Sequence, residues 1–325
     1  MNEQELVARV RELFSDRIGD DAAVVGDQVI TTDMLVEDVD FTRAIPLRFI
    51  GRKSLAVNLS DIAAMGARPA HAVVAIGLPD WARENADELL VAMGDAAKQW
   101  RFEIVGGDFS RSDKLVISVA MVGVLETRAL LRSGAKAGDR IYVSRPIGGS
   151  AAGLTLLRQG FSVEGFSVEA GFSPPSRAIN QTFLQREFAQ SAITRHIDPE
   201  PEIDLGLALA KIPEVTACID ISDGLSTDLH HLCDASHCGA EIERERIPIF
   251  PGLLESGLRA QDLVLDGGEE YALLFTSSLR ESELSTRVKR PVYAIGRITA
   301  GNGVLLNGRP LEARGWDHFS RGGER

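Results

Sequence analysis

The sequence predicts a two-domain α/β protein of the α+β kind, and three observations predict it. The chain has 325 residues, 44% of them hydrophobic, enough to bury more than one core. Short apolar runs of strand character alternate with segments whose apolar residues recur every three to four positions. A basic, glycine-bearing connection, Leu131-Arg132-Ser133-Gly134-Ala135-Lys136-Ala137-Gly138-Asp139, interrupts that alternation. It divides the chain into residues 1–131 and 132–325.

Residues 2–15 read as a surface helix with Leu6, Val10 and Leu13 on one side. This mixed-charge start is unlike a secretory signal, and no run is long enough to span a bilayer, so a cytoplasmic location is expected. Next comes Gly19-Asp20-Asp21-Ala22-Ala23-Val24-Val25, paired carboxylates opening a short strand, and then a second strand from Gln28 that ends in Thr31-Thr32-Asp33. Gly26-Asp27 is a turn signal of a hairpin. Antiparallel pairing folds Asp20 or Asp21 and Asp33 to the same side.

Gly51 to Arg68 reads as a helix with Leu55, Leu59, Ile62 and Ala63 facing a core and Ser54, Asn58 and Asp61 on a neighbouring face. Gly66 and Pro69 stop it. Asp61 lies near the C-terminal end, where the helix dipole disfavours an anion. It either caps a short helix beginning at Ile62 or belongs to a cation site. His71 to Leu78 is expected as a buried strand, Ala82 to Trp100 as one long amphipathic helix, and Glu103 to Val105 as a short strand. That strand runs into Gly106-Gly107-Asp108, presenting Asp108 at its end with two glycines that admit close backbone approach. Leu115 to Val124 is a further strand.

Beyond the connection, Arg140 to Ser144 is a strand, and Gly148-Gly149-Ser150 opens a helix without the Gly-Lys-[Ser/Thr] ending of a Walker loop. Arg132 and Lys136 are linker charges or phosphate ligands. Residues 160–190, rich in Gly, Ser, Phe and Pro, are expected as a mobile loop. Ile203 to Lys211 is helical. Ala217-Cys218-Ile219-Asp220-Ile221-Ser222-Asp223-Gly224 carries a strand into the start of a helix. Asp223 suits the N-cap of that helix, whereas Asp220 sits inside an apolar strand and has no such explanation. His230, Cys233 and His237 share a helical face but match no standard zinc spacing, and three cysteines are too few for a disulfide framework. Gly239 to Arg244, Ala272 to Thr276 and Val292 to Ile298 are strands. Gly267-Gly268-Glu269-Glu270 is another Gly-Gly-acid turn, and the chain closes on Arg314-Gly315-Trp316-Asp317-His318-Phe319.

Net charge is −12, without a basic stripe, which excludes a nucleic-acid-binding surface. Carboxylates at strand and helix ends instead suggest magnesium or calcium. If the reactants are phosphates, the need is electrostatic: ATP carries roughly four negative charges and a phosphomonoester nearly two. Each unit repulsion at about 4 Å costs roughly 4 kcal/mol at an effective dielectric near 20.

The motifs GDDAAVV, TTDMLVEDVDF, LAVNLSDIAAMGA, VGGD, RSGAKAGD, DISDGL, GGEEYALLF and GWDHF occur in the order and at about the spacing of the thiamine-monophosphate kinase family. That family lies in the superfamily of aminoimidazole-ribonucleotide synthetase. The resemblance covers residues 18 to 319. It implies ATP-dependent phosphorylation of thiamine monophosphate to thiamine diphosphate by direct in-line transfer with several Mg2+ ions. It also implies a homodimer through the N-terminal sheet, and a C-terminal mixed sheet with helices that completes the cleft. By resemblance, Asp21, Thr31, Thr32, Asp33, Asp61, Asp108, Asp220 and Asp223 fall on magnesium positions. Gly107, Asp108, Arg132 and Ser222 fall on ATP positions, and Asp40, Glu269 and Trp316 on thiamine-phosphate positions. At Asp40 the family commonly has His, a donor that a carboxylate cannot replace. Related synthetases that need a reactive cysteine near either end are disfavoured, since no Cys precedes Cys218 and the chain ends SRGGER. A silent magnesium-nucleotide sensor is the alternative from another class.

Overall fold

The structure is a computed structural model and describes residues 3–15, 18–161 and 183–316. Its N-terminal half begins with helix α1 (Glu3–Leu13) and a hairpin of β1 (Ala23–Val25) and β2 (Gln28–Val36). Gly26, at φ +65°, makes the turn. Helix α2 (Leu47–Ala64) follows, then β3 (Arg68–Leu78), the short α3 (Asp80–Arg83), α4 (Ala86–Trp100), β4 (Glu103–Arg111) and β5 (Val116–Val124). The five strands form one sheet in the order β1-β2-β5-β3-β4, with β3 and β4 parallel and the other pairs antiparallel. Val29, Thr31 and Leu35 of β2 point inward with Ile117, Val119 and Met121 of β5, while Ile30, Thr32 and Met34 point out, the period-two alternation of a one-sided sheet.

Two expectations are corrected. The helix expected over Ala82 to Trp100 is two, parted near Asn85, where the backbone leaves helical geometry. The strand expected to stop at Val105 runs through both glycines, so Asp108 lies in the body of β4. A Cβ on Gly107 would stand 1.9 Å from the carbonyl oxygen of Val74; that glycine serves close strand approach.

The C-terminal half contains β6 (Arg140–Val143), α5 (Gly149–Arg158), α6 (Phe183–Ile197), α7 (Ile203–Ala210), β7 (Val215–Asp220), α8 (Leu225–Ser236) and β8 (Gly239–Ile242). It continues with α9 (Ala260–Leu265), β9 (Leu273–Ser277), α10 (Glu281–Val288), β10 (Tyr293–Thr299), β11 (Gly303–Leu306) and β12 (Arg309–Pro310). The strands form a mixed sheet, β12-β11-β8-β10-β6-β9-β7. Helices cover both faces, so β9 is buried along its whole length. Tyr142 stacks on Phe275 at 5.4 Å against Leu205, Leu209 and Leu284, while Ile219 and Leu274 meet Leu225 and Leu229 of α8 on the opposite side.

Helix α2 joins the halves. It packs on β2, β5 and α4 of its own half and on α7 and β7 of the other, so residues on every side of it are buried. The α2–α7 approach is close: a Cβ on Gly206 would lie 2.0 Å from the carbonyl oxygen of Ala63. Gly206→Ala is therefore expected to force these helices apart and lower stability by about 1–3 kcal/mol, read from chemical denaturation. An unchanged midpoint would show that the two helices separate freely.

Candidate functional site

The chemistry radiates from α2 because the polar side chains from Lys53 to Asp61 lie between the two halves and each need a partner elsewhere. Two stripes are involved. Asn58 and Asp61 face the hairpin: Asn58 Oδ1 accepts from the Asp33 amide at 3.0 Å, and Asp61 Oδ2 accepts from Thr31 Oγ1 at 2.5 Å. Lys53 and Ser60, seven residues apart, face the C-terminal half. Ser60 Oγ donates to Asp220 at the end of β7, and Lys53 Nζ lies 2.6 Å from Glu269 Oε1. The helix runs without a break through Asp61, so the capping explanation of that residue fails.

Asp21, Asp61 and Asp220, distant in sequence, come together with carboxylate oxygens within 4.8 Å of one another. Burial raises the pKa of all three. Asp61 is held well above the usual carboxylate range, by burial first and then by Asp33, Asp220 and Asp21. Asp220 is pushed up to about 8 by burial, with Asp21 adding to it. Asp21 is raised by burial, against which Arg132 pulls. Arg132 donates from Nε and Nη2 to one oxygen, Asp21 Oδ1, at 3.1 and 2.6 Å. The other oxygen, Asp21 Oδ2, is buried with no hydrogen-bond donor among the described residues. A buried acceptor left open beside two crowded carboxylates is an arrangement that a hard divalent cation satisfies.

Beside this cluster, Asp223 shares a second one with Asp228 and His231, again with ligand atoms within 4.8 Å. Asp223 is not the N-cap of α8. Gly224 takes that position at φ +121°, and Asp228 Oδ2 instead accepts from the amides of Asp223 and Gly224 at 3.2 and 3.0 Å. Residues 222, 223, 269 and 316 are neighbours: the Glu269 amide donates to the Ser222 carbonyl at 2.7 Å and the Trp316 amide to that of Asp223 at 3.0 Å.

The turn carrying Glu269 is strained and firmly held. Glu269 and Tyr271 both have positive φ, 59° and 48°, costly for side chains of this size. Glu270 turns the other way, where its Oε1 accepts from the amides of Gly148 and Ser150, both at 2.9 Å. The glycine-rich start of α5 is thereby filled by the protein's own carboxylate. Arg145 Nη2 clamps the carbonyls of Glu270 and Tyr271 at 2.8 and 2.7 Å.

Some expected residues are not brought to the cluster. Thr32 points to the outer face of the sheet. Asp108 is paired across the ladder with Ala75, also outward and exposed, and β4 lies three strands from β2, about 14 Å away. Gly107 sits beside Asp108. The Asp40 carboxylate folds back onto its own chain, accepting from the Val36 amide at 2.7 Å. His230, Cys233 and His237 do not gather: His230 Nδ1 contacts the Ser226 carbonyl at 2.7 Å, and His237 ends α8 in a left-handed conformation. Asp317 to Phe319 and most of the loop expected over 160–190 fall outside the described residues. Lys53, Ser60, Asp228 and His196 were not foreseen. Arg52 reaches Asp198 and Glu200 on the surface, while Lys53, about 100° further round the helix, is buried, a difference that no local sequence signal announces.

Comparison with known proteins follows this geometry. The family described as AIR synthase related protein, N-terminal domain, matches residues 19–125, and its C-terminal domain matches residues 136–307. The thiamine-monophosphate kinase of Haemophilus influenzae is 35% identical, over 93% of this chain and 91% of the relative. The structure of AaThiL complexed with AMPPCP and TMP has a TM-score of 0.83 at 32% identity, covering 98% of this chain and 97% of that one. Thiamine-monophosphate kinase from Stenotrophomonas maltophilia K279a has a TM-score of 0.76 at 34% identity, over 93% and 95% of the two chains.

A carboxyl group whose folded-state pKa is raised supports the fold when protonated and works against it as pH climbs through the folded value. For Asp220 that window runs from the ordinary 3.8 up to about 8. Without divalent cations, Asp220→Asn is expected to raise the melting temperature, and to raise it more at pH 8 than at pH 5. A shift independent of pH, or a loss, would show that the cluster is not under repulsion.

Proposed function

The chain belongs to the AIR synthase related family and, within it, to the thiamine-monophosphate kinases, and we propose that it phosphorylates thiamine monophosphate with ATP. The observation that carries this reading is the meeting of Asp21, Asp61 and Asp220 from three remote parts of the sequence at the junction of the two halves. In the transfer, an oxygen of the acceptor phosphate forms a bond to the terminal phosphorus of ATP. The bond to the bridging oxygen breaks, and its electron pair leaves on ADP. The acceptor is largely ionised at neutral pH, so no side chain need remove a proton. Positioning and charge neutralisation are what remain for the protein to supply.

The residues divide accordingly. Asp21, Asp33, Asp61 and Asp220, with Thr31, would hold Mg2+, and Asp223 with Asp228 would hold it at the second cluster. A metal held by these residues would supply neutralisation of phosphate oxygens between the two polyanions. Arg132 fixes the direction of Asp21, and Ser222 borders the nucleotide side. Glu269 and the Trp316 ring, the latter 45% exposed, receive the thiamine moiety; the backbone tie to Asp223 sets the indole at the rim, where it can stack.

Thr32, Gly107 and Asp108 enter through assembly. The outer face of the N-terminal sheet exposes Ile30, Met34 and Val73, an apolar surface left uncovered by the described residues. A second copy docked there, with its halves divided near residue 131 as in this one, would bring Asp108 to a composite nucleotide site. Among the described residues no helix is long and apolar enough to cross a membrane, and a cytoplasmic location fits the reading.

With ATP and magnesium, ADP release is expected to depend on added thiamine monophosphate. If ADP does not depend on that acceptor, the chain is a nucleotide binder without this activity. Asp61→Asn is expected to cut turnover by about a hundredfold or more with unchanged circular dichroism, and near-normal turnover would take Asp61 out of the site. Trp316→Ala should raise the KM for thiamine monophosphate more than that for ATP; equal changes would rule out stacking on the acceptor.

A further inference from the structure

We propose that Lys53 is a positioning residue that acts through Glu269. It holds the Glu269 carboxylate as a fixed acceptor for the amino-substituted heteroaromatic part of the substrate. The inference rests on the activity proposed above and extends it to a residue on the opposite half of the chain.

Three side chains form the arrangement. Lys53 Nζ is 2.6 Å from Glu269 Oε1, and His196 Nδ1 is 3.2 Å from Glu269 Oε2. The side chains of Lys53 and His196 are each 2% exposed, whereas Glu269 is 27% exposed. A ligand entering from solvent therefore meets Glu269 first, and the other two act from behind it. Burial, then Lys53, pushes His196 down to about 3, so the imidazole is neutral. Its Nδ1 makes its hydrogen bond with Ser150 Oγ at 3.1 Å, and the ring packs beside the carboxylate. Lys53 is then the cation of the trio.

The physical need for that cation is specific. Burial alone would push the Glu269 carboxyl up, and Lys53 and His196 reverse this and bring it below its ordinary value. Tyr271, whose hydroxyl is 3.5 Å from Glu269 Oε1, senses Asp33, Asp220 and Asp40, so the turn lies beside the acidic cluster. Without Lys53, burial pushes a carboxyl group there toward its protonated form, which donates as well as accepts. With Lys53 it accepts only, which suits the N–H groups and positive charge of a thiamine-like ring system. The strained turn fixes the backbone beneath it, and α2, the helix that also carries Asp61, sets the Lys53 stem. Acceptor binding and the acidic cluster thus share one rigid element. Among the described residues the ammonium has no well-directed hydrogen bond; its contact with Glu269 is one of charge.

The test compares Lys53→Met, Glu269→Gln and the double variant in the full chain, by steady-state kinetics and by calorimetric binding of thiamine monophosphate without ATP. Lys53→Met is expected to weaken thiamine monophosphate binding and raise its KM about tenfold, with the KM for ATP within about twofold. The double variant should be no worse than Glu269→Gln alone, because Lys53 has nothing left to hold. Equal changes in both KM values, no change in either, or effects that multiply in the double variant would overturn the proposal. Should Lys53→Met fail to fold, Glu269→Gln against the double variant, where both charges are gone, still decides by additivity. A wild-type protein that binds thiamine monophosphate but releases no acceptor-dependent ADP would defeat the kinase reading and leave this one standing on the binding data.

Discussion

The constraint on which the rest depends is the enclosure of α2 from Lys53 to Ala64 between the two halves. Polar side chains on that stretch must find partners within the protein, and an unmet group costs about 1–3 kcal/mol or more. In this helix Asn58 and Asp61 find partners on β2, the Asp33 amide and the Thr31 hydroxyl, while Ser60 reaches the end of β7 and Lys53 the turn at Glu269. Three segments from both halves are thereby pinned to one rod. Sites built on rigid elements hold their geometry better than sites on loops, and here the rod runs through the middle of the molecule.

That arrangement stores repulsion. Asp21, Asp61 and Asp220 are crowded, buried and served directly by one guanidinium, which reaches Asp21 alone. Nothing in the packing requires three acids there; neutral side chains of similar size would relieve the strain that raises all three pKa values. Stability set aside in this way is a mark of a site kept for binding or chemistry.

Much of this was legible because acids in apolar surroundings are conspicuous. Asp220 stood out for lacking a local explanation, Asp61 was open between a helix cap and a cation site, and the hairpin turn folded Asp20 or Asp21 to the same side as Asp33. What could not be read depended on contacts between segments. Lys53 reads as a surface cation beside Arg52 until α7 and β7 cover its side of the helix. Asp228 was hidden because Asp223 fits the local N-cap rule, yet Gly224 accepts the extended geometry more cheaply and frees Asp223 for the cluster. Asp108 was misplaced because Gly-Gly reads as a strand end. Gly107 is there for the close approach of β3, and the strand continues through it.

The position of Asp40 completes the electrostatic case. Where the family commonly has His, this carboxylate is turned onto the Val36 amide and brings no positive charge. The cations near the cluster are already committed: Arg132 to Asp21, Lys53 to Glu269, and Arg145 to two carbonyls and Glu202. Releasing any of them to a phosphate would leave a buried carboxylate or carbonyl unpaired, at a cost comparable to the energy of the new ion pair. Among the described residues, these three cations cannot neutralise two polyanions without dismantling the frame that holds the acids. On the proposed reading the positive charge arrives with the reactants, and the open oxygen on Asp21 beside two further carboxylates is an acceptor suited to it.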